Sequence, residues 1–385
     1  MSIHEFNTYS ESVLQQRSRI ASRLRYGAAA ERFTVPADRA PRFPTSGSLK
    51  KLRPIPQPLS PAPKPVSDLP EADVIAMMDT APESRAMAAI LTPGYDVEQW
   101  YPFVPRNFAS FYLPRIGPRG PARKSRRLGS YFLTRINGLK VLVYKTELHM
   151  HEDARKLADG RYSTPIVDMF KLMIKQAHPR LFLTTGTSGG VYCSMHLGDV
   201  VVSRAARFYC MQDFKSAPFN HKTFRSDWTI PTKYIAAAER LMHSFAPHLT
   251  GKTYPKGRPP SSRCACCEPR YPTQIHLDGD QGIPEFHPIL TTDFFEFGTT
   301  TNNLDKLGMA VEMDDACLGL ECSELNAPPH WACVRNLSDP TINGELAAGL
   351  QESCAEYYYT KFGYWTTVMS ALTTWAIVAG LGDYA

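Results

Sequence analysis

Four apolar, β-branched runs, each ending in small or acidic residues, most constrain the fold of this chain. Residues 181–190 read LFLTTGTSGG and residues 197–203 read LGDVVVS, while residues 309–316 read MAVEMDDA and residues 331–339 read WACVRNLSD. Buried parallel strands present functional groups at their carboxyl ends in this way. The four runs predict an α/β sheet with a glycine turn, a carboxylate pair and a terminal aspartate at one edge.

In this order the four runs resemble the nucleoside phosphorylase and methylthioadenosine nucleosidase superfamily. That family has a strand ending in Gly-Ser/Thr-x-Gly, a Gly-Asp-Val-Val strand, Val-Glu-Met-Glu at a helix start and a strand ending in Ser-Asp. The resemblance covers residues 85–380 and leaves 212–287 unmatched. It implies one α/β domain with a mixed, twisted central sheet, helices on both faces and assembly as a homo-oligomer.

Proline content divides the chain into an arm and a domain. Residues 41–70 hold nine prolines, which favour an extended segment and exclude a helix or a sheet ladder. We therefore expect a basic, proline-rich arm over 1–71 and the nucleoside phosphorylase-like domain over 72–385. Residues 87–92 (MAAILT) are interpreted as its first strand.

Further along, local patterns predict most of the remaining elements. Asn137-Gly138 between two β-rich runs predicts a hairpin. Helices are predicted over 12–25, 164–176, 231–243, 314–325, 344–360 and 364–381, and strands over 181–186, 288–295, 309–312 and 330–337. The 212–287 segment contains Cys264-Ala-Cys-Cys267, whose spacing favours free thiols in an irregular insertion over a zinc site. No metal or other cofactor is expected.

Composition narrows the functional classes. The most apolar run, 365–381, carries four Thr and a Ser, which favours a buried terminal helix over a membrane span. The first residues lack the pattern of a secretory signal, and the nine Cys are scattered, as in a cytoplasmic protein with reduced thiols. Residues 1–130 hold 19 Lys and Arg against 11 Asp and Glu, and a solvated basic surface is favoured there over a nucleic-acid site.

Asp339 is the candidate general acid. It ends an apolar strand, where desolvation would raise its pKa and keep it protonated near neutral pH. The resemblance implies that this aspartate faces N7 of a purine. The alternative is that Asp339 caps a helix that begins near Pro340.

The resemblance implies a substrate-binding set around the sugar and the base. Glu312, Met313 and Asp314 match Glu-Met-Glu, whose methionine packs on the sugar and whose second acid binds the ribose hydroxyls. Asp314 is one methylene shorter than that acid, and it also suits a helix N-terminus. Phe295 matches the aromatic residue that stacks on the base, next to Glu296; a core aromatic is the alternative.

The turn formed by Thr187, Ser188 and Gly189 is expected below the sugar, where it could hold water or phosphate. Phosphorolytic members of the family place an arginine where this chain has Thr184, which favours water as the nucleophile. One of Arg204, Arg207 and Arg335 could still supply a positive charge for phosphate.

A hydrolase also needs a base that deprotonates water. The family takes it from the loop after the first strand, where the chain has Asp96 and Glu98, and Glu147 is a third candidate. The sequence does not decide which of these three residues is the base. The leading hypothesis is a cytoplasmic enzyme that hydrolyses the N-glycosidic bond of a purine nucleoside. A phosphate-dependent phosphorylase and a non-catalytic nucleoside-binding protein are the alternatives.

Overall fold

The computed structural model of this protein describes residues 41, 43–44, 47–192, 194–249, 273–280, 282–294, 296, 303–340 and 348–384. Three predictions lie outside these residues: the helix over 12–25, the cysteine cluster at 264–267 and the side chain of Phe295. Cys210, Cys317, Cys322 and Cys333 are buried and reduced, as expected for small apolar core residues.

Within the described part of the chain, thirteen strands form one mixed sheet. They are β1 (Ile55–Pro56), β2 (Val74–Met78), β3 (Tyr101–Phe103), β4 (Gly129–Ile136), β5 (Leu139–Thr146), β6 (Leu181–Gly190), β7 (Val200–Ser203), β8 (Ala205–Phe208), β9 (Thr223–Arg225), β10 (Ile275–Leu277), β11 (Ile289–Thr291), β12 (Ala310–Glu312) and β13 (His330–Pro340). The main order is β1-β4-β5-β2-β6-β12-β11-β8-β9. The long β6 pairs in parallel with β2 and β13 and in antiparallel with β12.

Helices cover both faces of this sheet. The described residues form α1 (Ala81–Leu91), α2 (Pro121–Ser125), α3 (Pro165–Ala177), α4 (Ile235–Phe245), α5 (Asp315–Glu324) and α6 (Ala348–Gly382), with single 3₁₀ turns at Ser48–Leu52, Val97–Gln99, Ala246–Leu249 and Leu304–Lys306 and a π-helical turn at Phe108–Tyr112. In β2, Val74, Ala76 and Met78 pack with α1, α4 and α6, whereas Ile75 and Met77 pack with α3 and α5. A strand that is apolar on both faces is typical of a sheet buried between two helical layers. The predicted α/β class with a mixed sheet is confirmed.

The β4–β5 hairpin is the local prediction that the structure matches best. Asn137 and Gly138 both have positive φ, 46° and 84°, as a type I′ turn requires. The turn also contacts the end of the chain, since Asn137 Nδ2 donates to the carbonyl of Ala379 at 2.8 Å.

Residues 87–92 are not the first strand; that prediction was wrong. They form the second half and the C-cap of α1, and the first long strand is β2, directly before it. A short apolar run cannot be assigned to strand or helix by periodicity alone. The missed signal is Thr80-Ala-Pro-Glu83, because Thr at the N-cap, Pro in the first turn and Glu at the third position mark a helix start.

Three other differences have simple physical reasons. The proline-rich segment does form a ladder, since β1 pairs with β4; proline is tolerated there because β1 is an edge strand. Residues 187–190 continue β6 instead of turning, because β13 and β12 pair with them on either side. The two predicted C-terminal helices are one helix, α6, which runs through Gly363.

One described helix segment, Lys361–Gly382, is long and apolar enough to cross a membrane by length and composition, and 83% of its apolar window is buried inside the protein. It packs on α1, α4 and β13, and Trp375 Nε1 donates to the carbonyl of Leu52 at 2.7 Å. The predicted burial of the terminal helix is therefore confirmed.

The segment 212–287 contributes to the core rather than forming a separate irregular insertion. Its described residues supply β9, β10 and α4. The strand β10 pairs in parallel with β7, and Ala238 and Met242 of α4 are fully buried.

Candidate active site

A cleft opens where β2, β6, β12 and β13 end. The parallel pairing of β6 with β13 places Ser188 opposite Leu337 and Gly189 opposite Asp339. The cleft contains about 560 Å³ of empty space, counting open solvent at its mouth. Its lining residues are Asp79, Thr80, Glu83, Thr187, Ser188, Gly189, Thr292, Phe294, Glu296, Val311, Glu312, Met313, Arg335, Asp339 and Tyr359.

The fold brings most of the predicted site residues together in this cleft. The lining includes the predicted residues Thr187, Ser188, Gly189, Glu296, Glu312, Met313 and Asp339. They come from separate segments of the chain, so their convergence depends on the order of strands in the sheet. Phe294, the neighbour of Phe295, supplies an aromatic wall.

Asp339 is a buried carboxyl group that holds a proton near neutral pH. It is 5% exposed, and burial raises its pKa to about 7. The hydroxyl of Ser338 donates to its Oδ1 at 2.7 Å and lowers the pKa in part. Because β13 continues to Pro340, Asp339 is a strand residue, and the helix-cap alternative loses its basis.

Glu83, in the first turn of α1, is a buried carboxylate with four hydrogen-bond donors. The backbone N–H groups of Asp79 and Thr80 donate to Oε2 at 3.0 and 2.7 Å. The backbone N–H and the hydroxyl of Thr187 donate to Oε1 at 2.8 and 2.6 Å. Burial raises the pKa of Glu83, but the charge of Arg335 and the hydrogen bonds outweigh it, so the pKa lies below its ordinary value. Glu83 is therefore ionised at neutral pH.

Arg335 is the cationic centre of the site and is 2% exposed. It binds the Asp315 carboxylate with two nitrogens, and its Nε donates to Oδ2 at 2.9 Å. Both of its terminal nitrogens donate to Asp79 Oδ2 at 3.3 Å, and Nη2 also lies 3.4 Å from Glu312 Oε2. Such pairing is required because an unpaired buried guanidinium is strongly unfavourable.

Glu312 is held at the amino end of α5. The backbone N–H groups of Asp314 and Asp315 donate to its carboxylate at 2.6 and 2.9 Å, and the hydroxyl of Thr291 also donates to it. Burial first, and then the charge of Asp315, raise the pKa of Glu312 to about 8 even though Arg335 lowers it. Glu312 thus lines the cleft as a second carboxyl group that is protonated near neutral pH.

Gly186 lies where Glu83 and Arg335 meet. A Cβ atom at this position would come within 2.7 Å of Glu83 Oε1 and 2.8 Å of an Arg335 nitrogen. Both distances are shorter than real Cβ contacts, so a larger residue here would require Glu83, Arg335 or the backbone to shift.

Asp314 does not line the cleft. Its Oδ1 accepts a hydrogen bond from the backbone N–H of Met150 at 2.7 Å, and its Oδ2 lies 3.2 Å from His149 Nδ1. Both residues are buried. The sequence contained no local signal for this contact, because His149 and Asp314 lie 165 positions apart.

The residues predicted as the water base lie outside the cleft. Glu98 sits in the exposed turn Val97–Gln99, 3.8 Å from Arg85, and Asp96 caps that turn. Glu147 is buried beside Lys145 and Arg127, at 2.5 and 2.8 Å. The structure instead places Glu83 in the cleft, which the sequence interpretation missed because it assigned the first strand one element too late.

Comparison with solved structures finds proteins of the class that the sequence motifs resemble. Futalosine hydrolase of Helicobacter pylori is 10% identical, with 80% of this chain and 97% of that chain covered and a TM-score of 0.45. The 5′-methylthioadenosine/S-adenosylhomocysteine nucleosidase from Neisseria meningitidis, in complex with methylthio-immucillin-A, is 14% identical over 80% and 99% of the two chains, with a TM-score of 0.43. The nucleosidase from S. pneumoniae, with a transition-state inhibitor, is 15% identical over 80% and 99%, with a TM-score of 0.44.

No family model matches the chain, and no curated protein matches it either. Since the identities to the solved structures are below 25% and the TM-scores below 0.5, the function of this protein must be inferred from its own residues and contacts.

Proposed function

We propose that this protein hydrolyses the N-glycosidic bond of a purine nucleoside in the cleft. In this proposal Asp339 protonates the leaving base and Glu83 deprotonates the attacking water. The observation that carries the proposal is that two carboxyl groups of one cleft have opposite pKa shifts, to about 7 for Asp339 and below the ordinary value for Glu83. Neighbouring carboxyl groups whose environments separate their pKa values are how an enzyme provides an acid and a base at one pH.

The reaction chemistry fits this pair of groups. Breaking the bond between C1′ and the base nitrogen leaves positive charge on the ribose and negative charge on the base. Proton transfer from Asp339 neutralises the base, and water, losing its proton to Glu83, supplies the oxygen that bonds to C1′. The ionised carboxylate of Glu83, which lines the cleft, also favours a cationic sugar over a neutral one.

The charge of the cleft favours water over phosphate as the nucleophile. The arginine of the described lining, Arg335, is already paired with Asp315, Asp79 and Glu312, and the Glu83 carboxylate beside it is ionised. Arg204 and Arg207 do not line the cleft, and Arg204 is paired with Asp278 and Glu285. Among the described residues, the lining therefore offers a phosphate dianion no unpaired cation to bind.

The walls of the cleft suit a nucleoside without a phosphate group. Met313 and Phe294 supply apolar surface, as required by a sugar face and a planar base. Thr187 and Ser188 supply hydroxyl groups below them. Purine as the base follows from the sequence resemblance and from the acid at position 339.

The test is a product analysis with and without phosphate in ¹⁸O-labelled water. Hydrolysis predicts that purine nucleosides release free base at the same rate in both buffers, with one ¹⁸O atom in the sugar. Strict dependence on phosphate, with ribose 1-phosphate as the product, would replace this proposal with the phosphorylase alternative.

One observation favours a second candidate, a nucleoside-binding protein without turnover. The carboxylate of Asp314, expected on the ribose hydroxyls, is bound instead by Met150 N–H and lies next to His149. Equilibrium dialysis with an adenosine or inosine analogue distinguishes the two: saturable binding of nucleosides that are never cleaved would favour the binding protein.

A further inference from the structure

Three buried side chains meet at the carboxyl ends of three strands. Asp79 follows β2, His149 follows β5 and Asp314 follows β12. One ligand atom from each of them lies within 4.8 Å of the other two. We propose that Asp79, His149 and Asp314 form a binding site for a divalent transition-metal ion. The proposal does not depend on the reaction carried out in the cleft.

The separations suit metal ligands. Two donor atoms that are each about 2.1 Å from a shared ion lie about 3.0–3.4 Å apart at angles near 90–110°. His149 Nδ1 and Asp314 Oδ2 are 3.2 Å apart, which is already such a separation. The ligand atom of Asp79 lies within 4.8 Å of the other two, and rotation of its side chain could bring it closer.

The local charge provides the driving force. Asp79 Oδ1 is buried and has no hydrogen-bond partner among the described residues. Among the described residues, five buried carboxyl groups lie in this part of the protein, and Arg335 is shared among three of them. The five are Asp79, Glu83, Glu312, Asp314 and Asp315. A buried carboxylate oxygen without a partner is unfavourable, and a divalent cation would satisfy it and neutralise part of the negative charge.

The surrounding residues already orient the ligands. Met150 N–H donates to Asp314 Oδ1 at 2.7 Å, and Arg335 holds Asp79 Oδ2 at 3.3 Å. The backbone N–H of His149 donates to Asp153 Oδ2 at 2.8 Å. Hydrogen bonds that fix metal ligands from behind are typical of metal sites. Asp79 also lines the cleft, which gives an ion a path from solvent.

One imidazole and two carboxylates define the class of metal. This donor set suits borderline ions such as Zn²⁺, Mn²⁺ and Co²⁺, whereas an all-oxygen set would suit Mg²⁺ or Ca²⁺ and thiolates would suit Cu⁺. No metal is expected from the sequence, and Asp79, His149 and Asp314 belong to no recognised spacing motif.

The experiment titrates the full chain, stripped with a chelator, with Co²⁺ alone. We expect one Co²⁺ per chain, visible d–d absorption and no thiolate charge-transfer band. His149→Gln should weaken Co²⁺ binding by about 100-fold or more, because one of three ligands is lost. His151→Gln, two positions along the same loop, is the matched control and should bind Co²⁺ like the wild type.

Two further measurements make the outcome decisive. A variant with serine at positions 264, 266 and 267 excludes binding by the cysteine cluster and should retain the Co²⁺ site. X-ray absorption of Co²⁺-loaded wild type should show one imidazole in a nitrogen and oxygen shell, which tests the site even where His149→Gln does not fold. Failure of wild type to bind Co²⁺ with a Kd below 1 mM, or a shell without imidazole, would overturn the proposal.

Discussion

Glu83 and Asp339 are carboxyl groups of the same cleft, buried to a similar degree, with opposite protonation behaviour. Glu83 accepts four hydrogen bonds and is influenced by the charge of Arg335, which together lower its pKa. Asp339 receives one hydroxyl hydrogen bond, from Ser338, and burial dominates its pKa. Burial therefore does not decide which group is the acid; the number of donors and the nearest cation do.

Asp339→Asn is expected to have the largest effect, and it tests whether Asp339 is the general acid. Asparagine keeps the size and most of the hydrogen bonding but has no transferable proton, so kcat should fall about 10²–10⁴-fold with little change in KM. Steady-state kinetics on the best nucleoside measures this, with the exposed Asp159→Asn as control. Near-normal turnover of Asp339→Asn would remove Asp339 as the acid.

Glu83→Gln tests the role of Glu83 as the base that deprotonates water. Without a carboxylate to accept the proton of water, kcat should fall by about 10²-fold or more. Glu98→Gln is the matched control, because Glu98 is 69% exposed and lies outside the cleft, and it should keep wild-type kinetics. A loss of activity in Glu98→Gln but not in Glu83→Gln would return the role of base to the sequence prediction.

Arg335→Met should reduce the difference between the pKa values of Glu83 and Asp339. Removing the buried cation leaves the carboxylates of Asp315, Asp79 and Glu312 without their partner, so the free energy of unfolding should fall by about 3–5 kcal/mol. It should also raise the pKa of Glu83, because Arg335 is the main group that lowers it. Urea unfolding measures the first effect; a change within 1 kcal/mol would contradict the network described above.

The pH dependence of kcat/KM follows from the two pKa shifts. The reaction requires protonated Asp339, so kcat/KM should fall about tenfold per pH unit once the pH rises above about 7. It also requires ionised Glu83, whose lowered pKa places the acid limb below the ordinary range of glutamate. A rate that keeps rising from pH 7 to pH 9 would contradict the assignment of Asp339.

Ser338→Ala is expected to have the smallest effect. The hydroxyl of Ser338 lowers the pKa of Asp339, so its loss should move the alkaline limb to higher pH and destabilise the fold by about 1 kcal/mol. Ser323→Ala, an exposed hydroxyl that bonds only to Leu320 O among the described residues, should leave the pH profile unchanged. An alkaline limb displaced to lower pH would contradict this prediction.

Local patterns predicted the elements that depend on neighbours in sequence. Asn137-Gly138 specified its hairpin because a type I′ turn needs two residues that tolerate positive φ. The prediction of a strand over residues 87–92 was wrong because a short apolar run suits either a strand or a helix. Because of that error, Glu83 was not among the predicted candidates for the water base. With β2 as the first strand, the family pattern would have indicated the segment that contains Glu83.

Contacts between distant strand ends could not be predicted in the same way. Nothing near His149 or Asp314 in the sequence indicates that they meet, because the meeting depends on the placement of β5 and β12 in the sheet. The orientation of Asp314 is likewise set by Met150 N–H, a group that no motif contains. Homo-oligomer assembly and a cytoplasmic location stay predictions.

The space at Gly186 has a consequence for how relatives of this chain can diverge. Any side chain there meets Glu83 Oε1 and Arg335, so a lineage cannot replace this glycine and keep both partners in place. Glycine at this position should therefore persist wherever Glu83 and Arg335 persist, and its replacement should accompany or follow their loss. A relative with alanine at 186 beside an intact glutamate and arginine would show that the backbone of β6 can move to make room.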